Sequence, residues 1–229
     1  MSRQKKSYEM NMCEGALVPK MLIFTIPLMF SGILQLLFNA ADTIVVGRYA
    51  GSQALAAVGS TTALINLLVN MFMGLSVGAN ILISRYYGAK KEEDIRETVH
   101  TSITVAVLAG IVLAVLGNVF AKPLLILMGS PEDVVDLAAV YIRIYFLGMP
   151  VILIYNYGAA ILRAIGDTKR PLYYLTTAGV VNVILNLIFV IGLDMSVGGV
   201  ALATVIAQCG SVTLLLRCMC RMDGSCGLE

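Results

Sequence analysis

Asp42 stands deep inside an apolar run, in the stretch FNAADTIVVG, with Asn39 just before it. Charging an acid at such depth in a bilayer costs roughly 2.5–3.5 kcal/mol on insertion scales. Of the fourteen acidic residues, Asp42 alone lies within a span; the others fall in connections, tails or helix ends. A structural carboxylate would want a buried Arg or Lys, and no span offers one at matching depth. What the group can supply is reversible charging: it can take up a proton, or hold a hard cation together with neighbouring oxygens.

Its neighbours extend the pattern. At about 100° per residue, Ser31, Gln35, Asn39 and Asp42 fall within about 80° of one another on one helix face. Thr62, Asn66, Asn70 and Asn80 share a face of the second helix, and Asn182 and Asn186 lie one turn apart on the fifth. Thr204, Gln208 and Ser211 form a stripe on the sixth. Lipid cannot satisfy these groups, so the stripes must face the bundle or a cavity. A single Ser or Thr is ordinary interhelical glue, worth about 0.6 kcal/mol. The amides are costlier to bury, and Gln35, Asn39, Asn66, Asn70 and Gln208 are the candidate cavity lining.

These residues need a scaffold of membrane helices. The 229 residues are 59% hydrophobic and only 13% charged, with mean hydropathy +0.87. Apolar runs of spanning length recur throughout, so the fold class is an all-α, polytopic membrane protein. Six spans are expected at 19–46, 54–84, 95–120, 132–164, 171–193 and 197–217, forming one lobe over 19–217 between tails at 1–18 and 218–229. Ser130 is expected to cap the fourth helix, with Pro131 in its first turn and Asp133 at its positive end. Pro27 and Pro150 mark candidate kinks in the first and fourth helices. Gly74 and Gly78 form a GxxxG, and Ala106, Gly110 and Ala114 repeat small residues every fourth position; both patterns permit close packing.

Charge sets the orientation. Of the sixteen Lys and Arg residues, only Arg48, Lys122 and Arg143 fall outside when both termini are cytoplasmic, Arg143 at the outer interface; the rest lie on the cytoplasmic side, as the positive-inside rule asks. The first run ends in NAADTIVVGRY rather than a small-residue cleavage site, which makes it an uncleaved span. With no Trp and no basic cluster interleaved with aromatics, nucleic acid is excluded as a partner. Cys13, Cys209, Cys218, Cys220 and Cys226 form no disulfide framework. They also lack a nearby histidine for a metal site, since His100, the only one, sits at the start of the third helix as an interfacial residue. No nucleophile–base pair or phosphate-binding loop is present, and GDTKRP reads as a basic turn closed by Pro171. An intramembrane aspartyl protease would need two facing aspartates. The chain is therefore expected to be no enzyme and to use no cofactor.

The stretches IPLMFSGILQLLFNAADTIVVGRYAGSQALAAVG, GLSVGANILISRYYGAKKEEDIRE, AAILRAIGDTKRPLYY and NVILNLIFVIGLDMSVGGVALATVIAQ resemble the multidrug and toxic compound extrusion (MATE) transporters. The likeness covers nearly the whole chain and is nearest to the bacterial and archaeal branch resembling DNA-damage-inducible protein F. It implies one six-helix lobe of a twelve-helix fold in the cytoplasmic membrane of a prokaryote. It also implies export of small organic, often cationic, compounds in exchange for H⁺ or Na⁺. In that branch a cation site uses an acid on the first helix, an Asn and an acid on the fifth, and a Thr on the sixth. Asp42, Asn182 and Thr204 match, while Asn186 stands where the second acid is often found. The coupling ion is then H⁺ on Asp42, or Na⁺ held by Asp42, Asn182, Asn186 and Thr204; one carboxylate with weak neutral ligands favours the proton. The resemblance implies a partner too, either a second six-helix lobe or a homodimer of lobes, because the chain ends just past the sixth helix like a truncated transporter. Two alternatives stay open. One is a lipid-linked oligosaccharide flippase of the same superfamily, which should carry basic residues in its cavity. The other is a chain with no transport activity of its own.

Overall fold

Long apolar runs with sharp polar interruptions become long helices joined by very short turns. The structure, a computed structural model, describes residues 17–221; Cys13, Cys226 and the basic residues Arg3, Lys5 and Lys6 lie outside that range. The described residues form α1 (Leu17–Val45), α2 (Ser52–Gly88), α3 (Glu92–Leu127), α4 (Glu132–Leu147), α5 (Met149–Ala164), α6 (Lys169–Leu187) and α7 (Ser196–Met219). Five helices are long and apolar enough to span a membrane, and α4 with α5 makes a sixth span bent by 49°. Among the described residues no strand is present.

The turns explain where the helices stop. At the α3–α4 turn Gly129 takes φ 75°; its N–H donates to Ile126 O and the Ser130 N–H to Leu125 O, the paired closure of a left-handed C-terminal cap. Ser130 is thereby committed to ending α3, and no side chain caps α4, whose N-cap is Pro131. The α5–α6 turn repeats the device: Gly166 at φ 87° donates to Arg163 O, and Asp167 N to Leu162 O. Asp167 then turns its fully buried side chain onto the next helix. Its Oδ1 accepts from the backbone N–H of Lys169 and Arg170, both at 3.1 Å, and its Oδ2 pairs with Arg170 Nε at 3.2 Å. GDTKRP is thus a cap that fixes the start of α6 against the end of α5, with the Tyr155 hydroxyl donating to Pro171 O at 3.0 Å.

Two helix bounds need correction. The fourth span is not one helix: it breaks at Gly148, with Pro150 in the first turn of α5, because Pro supplies no N–H to continue the ladder from α4. α3 does not end before residue 121 but runs through Pro123 to Leu127, held by Ala121 and Leu125, both fully buried. α1 continues through Pro27, the Ser31 hydroxyl bonding Pro27 O at 2.9 Å.

The core lies where α3, α4, α5 and α7 meet, around Phe146, Met149, Leu153, Ile161 and Leu215. α1 packs mainly on α6 and buries almost nothing until Val45. Both α1 and α6 end in a wide π-helical turn, Val46–Ala50 and Ile188–Gly192, and these turns touch each other. Of the small-residue patterns, only the α3 repeat is used: a Cβ on Gly110 would overlap the backbone of Pro150, whereas Gly74 and Gly78 face open space. Gly110→Ala should therefore force α3 off the α4–α5 bend and cost about 1–3 kcal/mol, while Gly74→Ala should cost nothing measurable. Thermal denaturation of the two variants in detergent checks this; equal destabilisation would contradict the packing described.

Candidate functional site

α1 brings Asp42 to the face of α6 that carries Asn182 and Asn186, and α7 adds Thr204. The approach is close because Gly179, one turn before Asn182, leaves its Cβ position to the ring of Phe38. Asp42 is half-buried, Asn186 fully buried, and Asn182 nearly so. Asn186 Nδ2 donates to Asp42 Oδ1 and, at 3.2 Å, lies against Asn182 Oδ1. The other end of the Asn182 amide lies 3.1 Å from Thr204 Oγ1, and that hydroxyl reaches Val200 O at 3.0 Å. The sequence-derived quartet Asp42, Asn182, Asn186 and Thr204 is one connected cluster.

The cluster has two consistent hydrogen-bond states. One terminal atom of the Asn182 amide sits 2.8 Å from Asp42 Oδ1. If Asp42 is ionised, that atom must be the nitrogen, donating to the carboxylate, and the amide oxygen then accepts from Thr204 Oγ1. If Asp42 is protonated, its O–H can donate to the amide oxygen instead, and Asn182 Nδ2 donates to Thr204. Amide orientation follows the donor–acceptor balance of its surroundings, so one proton decides which way Asn182 points. Only the second state keeps the Asn186-to-Asn182 bond. Asn186 Oδ1 is buried with no hydrogen-bond partner.

Two cavities adjoin the cluster and share walls. The smaller, about 90 Å³, lies between α1, α6 and α7 and touches Asp42, Asn182 and Thr204. The larger, about 390 Å³, runs from Asn39 and Gln208 to Arg163, Thr168 and Pro171 at the end of the lobe where the basic residues gather. Gln35, Asn39, Thr204 and Gln208 line both. Asn66 and Asn70 line neither; both are exposed, and Val69 and Met73, on the same side of α2, supply that helix's share of the wall. Asn80 and Ser84 bond α2 to α5 through Ala160 O and Ala164 O, at 2.7 and 3.3 Å, and Ser211 bonds α7 to Tyr174 O at 2.8 Å.

Sequence reasoning missed the α5 wall. Ile152, Asn156, Ala159 and Arg163 recur at spacings of three and four and all line the large cavity with Tyr155. Arg163 counted only as an orientation charge, yet it is a basic residue in the cavity lining. His100 lines neither cavity, and its Nε2 is buried without a partner. No cluster of potential metal-ligating His, Cys, Asp and Glu side chains exists among the described residues.

Six apolar spans, an acid seated by the amides of a neighbouring helix, and a polar cavity beside it define a polytopic α-helical membrane protein with a half-buried ionisable site. The MatE family model matches residues 27–188, and the chain belongs to that family. It is 38% identical over 200 residues to the probable multidrug resistance protein YoeA of Bacillus subtilis (strain 168), covering 86% of this chain and 43% of the relative. It is 28% identical over 210 residues to DNA damage-inducible protein F of Escherichia coli (strain K12), covering 88% and 45%. A crystal structure of MATE in the bent conformation superposes with TM-score 0.85 at 27% identity, over 91% of this chain and 46% of that one. The chain thus spans about half the length of the relatives it matches.

Asn186→Leu strips one donor from Asp42 and leaves a buried acceptor short of a partner, a loss of about 1–3 kcal/mol. The loss should be larger at neutral pH, where Asp42 needs both amides as donors when ionised, than at acid pH, where the neutral carboxyl needs fewer. Thermal midpoints of variant and wild type across pH measure this; a pH-independent difference would contradict the geometry.

Proposed function

We propose that this chain is one lobe of a cation-coupled antiporter that exports toxic organic compounds across the cytoplasmic membrane. The observation that carries the reading is Asp42: the acid of a span, seated by Asn186 and one atom from Asn182, beside a cavity whose walls its own cluster shares. The basic end faces the cytoplasm by the positive-inside rule.

The coupling ion is a proton. From the outside it neutralises Asp42, which reverses its hydrogen bond to Asn182 from acceptor to donor and passes the change to Thr204 on α7. α1 can answer because it buries so little; bending near Pro27, where the helix lacks one backbone donor, narrows the cavity and expels substrate. Loss of the proton to the cytoplasm restores the ionised state. A sodium reading is favoured by one observation, the unpartnered Asn186 Oδ1, which with Asp42, Asn182 and Thr204 oxygens would suit a hard cation. The flippase alternative gains Arg163 in the cavity, but one guanidinium falls short of matching a diphosphate. The polar residues left exposed on α1 and α2, Gln35, Asn39, Asn66 and Asn70, support pairing with a second six-helix lobe or with another copy of this chain.

In proteoliposomes holding the lobe with its partner, Asp42→Asn should insert and bind substrate yet lose gradient-driven export, because it fixes the neutral state. Asp42→Glu should keep part of the activity with a shifted pH profile. A sodium titration at fixed pH separates the ions: sodium-independent export supports the proton, a strict sodium requirement the cation site. Wild-type export by Asp42→Asn would sink the coupling role.

A further inference from the structure

Arg163 is a guanidinium with no acid. It sits in the last turn of α5 and its Nε donates to Ala159 O at 3.0 Å, so the side chain folds back along its own helix. Among the described residues no carboxylate pairs with it. The nearest acid in sequence, Asp167, is taken by the α6 cap and by Arg170. The other ionisable group lining these two cavities, Asp42, lies on the smaller one and is held by amides. Both Nη groups are left for whatever enters the large cavity, which Arg163 lines.

A sheltered charge without a partner is costly, and ionisable residues of this kind face a cavity because a ligand completes them. A guanidinium presents a planar fork that matches a carboxylate or a phosphate with two parallel hydrogen bonds. Asn156 and Thr168 stand beside it as further polar partners, while Leu28, Val69, Met73 and Leu175 offer an apolar wall towards Asn39. The volume of about 390 Å³ suits a ligand of drug size.

We propose that Arg163 anchors an acidic group of the substrate, so that this lobe takes amphipathic organic anions or zwitterions, the acid at the basic end and the apolar body along α1 and α2. This rests on the large cavity being the substrate site, and it revises the expectation of simple cations. The acid is either that of a soluble compound or the phosphate of an anionic lipid headgroup.

Binding to the purified full chain in phosphatidylcholine nanodiscs tests the proposal without a gradient or a second lobe, so it can fail while the coupling role of Asp42 stands, and the reverse. The probes are dansylglycine, which carries a carboxylate, and its neutral amide, read by fluorescence. Wild type should bind dansylglycine about tenfold more tightly than the amide, the scale of one charge-assisted pair. Arg163→Gln should abolish that preference without altering amide binding, and Arg163→Lys should keep part of it; unchanged thermal midpoints exclude misfolding as the cause. Added phosphatidylglycerol that displaces dansylglycine from wild type assigns the anion to a headgroup, and failure to displace assigns it to a soluble acid; both uphold the anchor. No saturable dansylglycine binding, equal affinity for acid and amide, or an unchanged preference in Arg163→Gln overturns it.

Discussion

A carboxylate set among lipid-facing helices must find hydrogen-bond partners within the protein in every state it adopts. That constraint on Asp42 organises the rest of the lobe. Its partners must come from another helix and be able to donate or accept, and side-chain amides are the groups that do both. Two of them one turn apart on α6 meet the requirement, and Thr204 on α7 receives whichever end of Asn182 is turned away. The approach of α1 to α6 requires Gly179, because the ring of Phe38 occupies the place of a side chain there. The wide turns Val46–Ala50 and Ile188–Gly192 follow directly on the same two helices, as π-helical turns often do beside functional groups.

Rigidity is distributed unevenly around this cluster. α3, α4, α5 and α7 share the tightly packed core, stitched to α2 by Asn80 and Ser84. α6 is pinned at its start by the Asp167 cap and the Tyr155 hydroxyl. α1 alone carries the acid while burying few of its own side chains, so a change of hydrogen bonding at Asp42 acts on the element least held by packing. Beyond the 49° bend between α4 and α5, Tyr155, Asn156 and Arg163 form part of the large cavity's wall, so the lobe carries an acid and a base on two cavities that share lining residues.

Much of this was legible in the residues. Hydropathy gave the spans, the solitary acid and the polar stripes, while the family resemblance joined Asp42, Asn182, Asn186 and Thr204 into one site. What the sequence withheld has a common physical origin. Helical periodicity says which residues share a face but not what that face meets, so Gly74 and Gly78 read as a packing motif although both face open space. The α5 stripe escaped because 132–164 read as one helix, kinked at Pro150 at most, in which Arg163 is only an end charge. Ser130 looked like an N-cap because Ser before Pro and two acids is a strong local signal; α4 instead starts from Pro131 with no side-chain cap, while Gly129 and Ser130 close the end of α3 through their backbone N–H groups.

The protonation state of Asp42 is directly observable. Infrared difference spectra of the reconstituted chain between acid and alkaline pH, with Asp42→Asn to assign bands and isotope-labelled asparagine to follow the amides, read the proton and its hydrogen-bond response together. The coupling role predicts a protonated-carboxyl band, absent from Asp42→Asn, that vanishes on alkalinisation while the asparagine side-chain amide bands shift with it. No Asp42-dependent carboxyl band, or one that ignores both pH and sodium, would contradict that role.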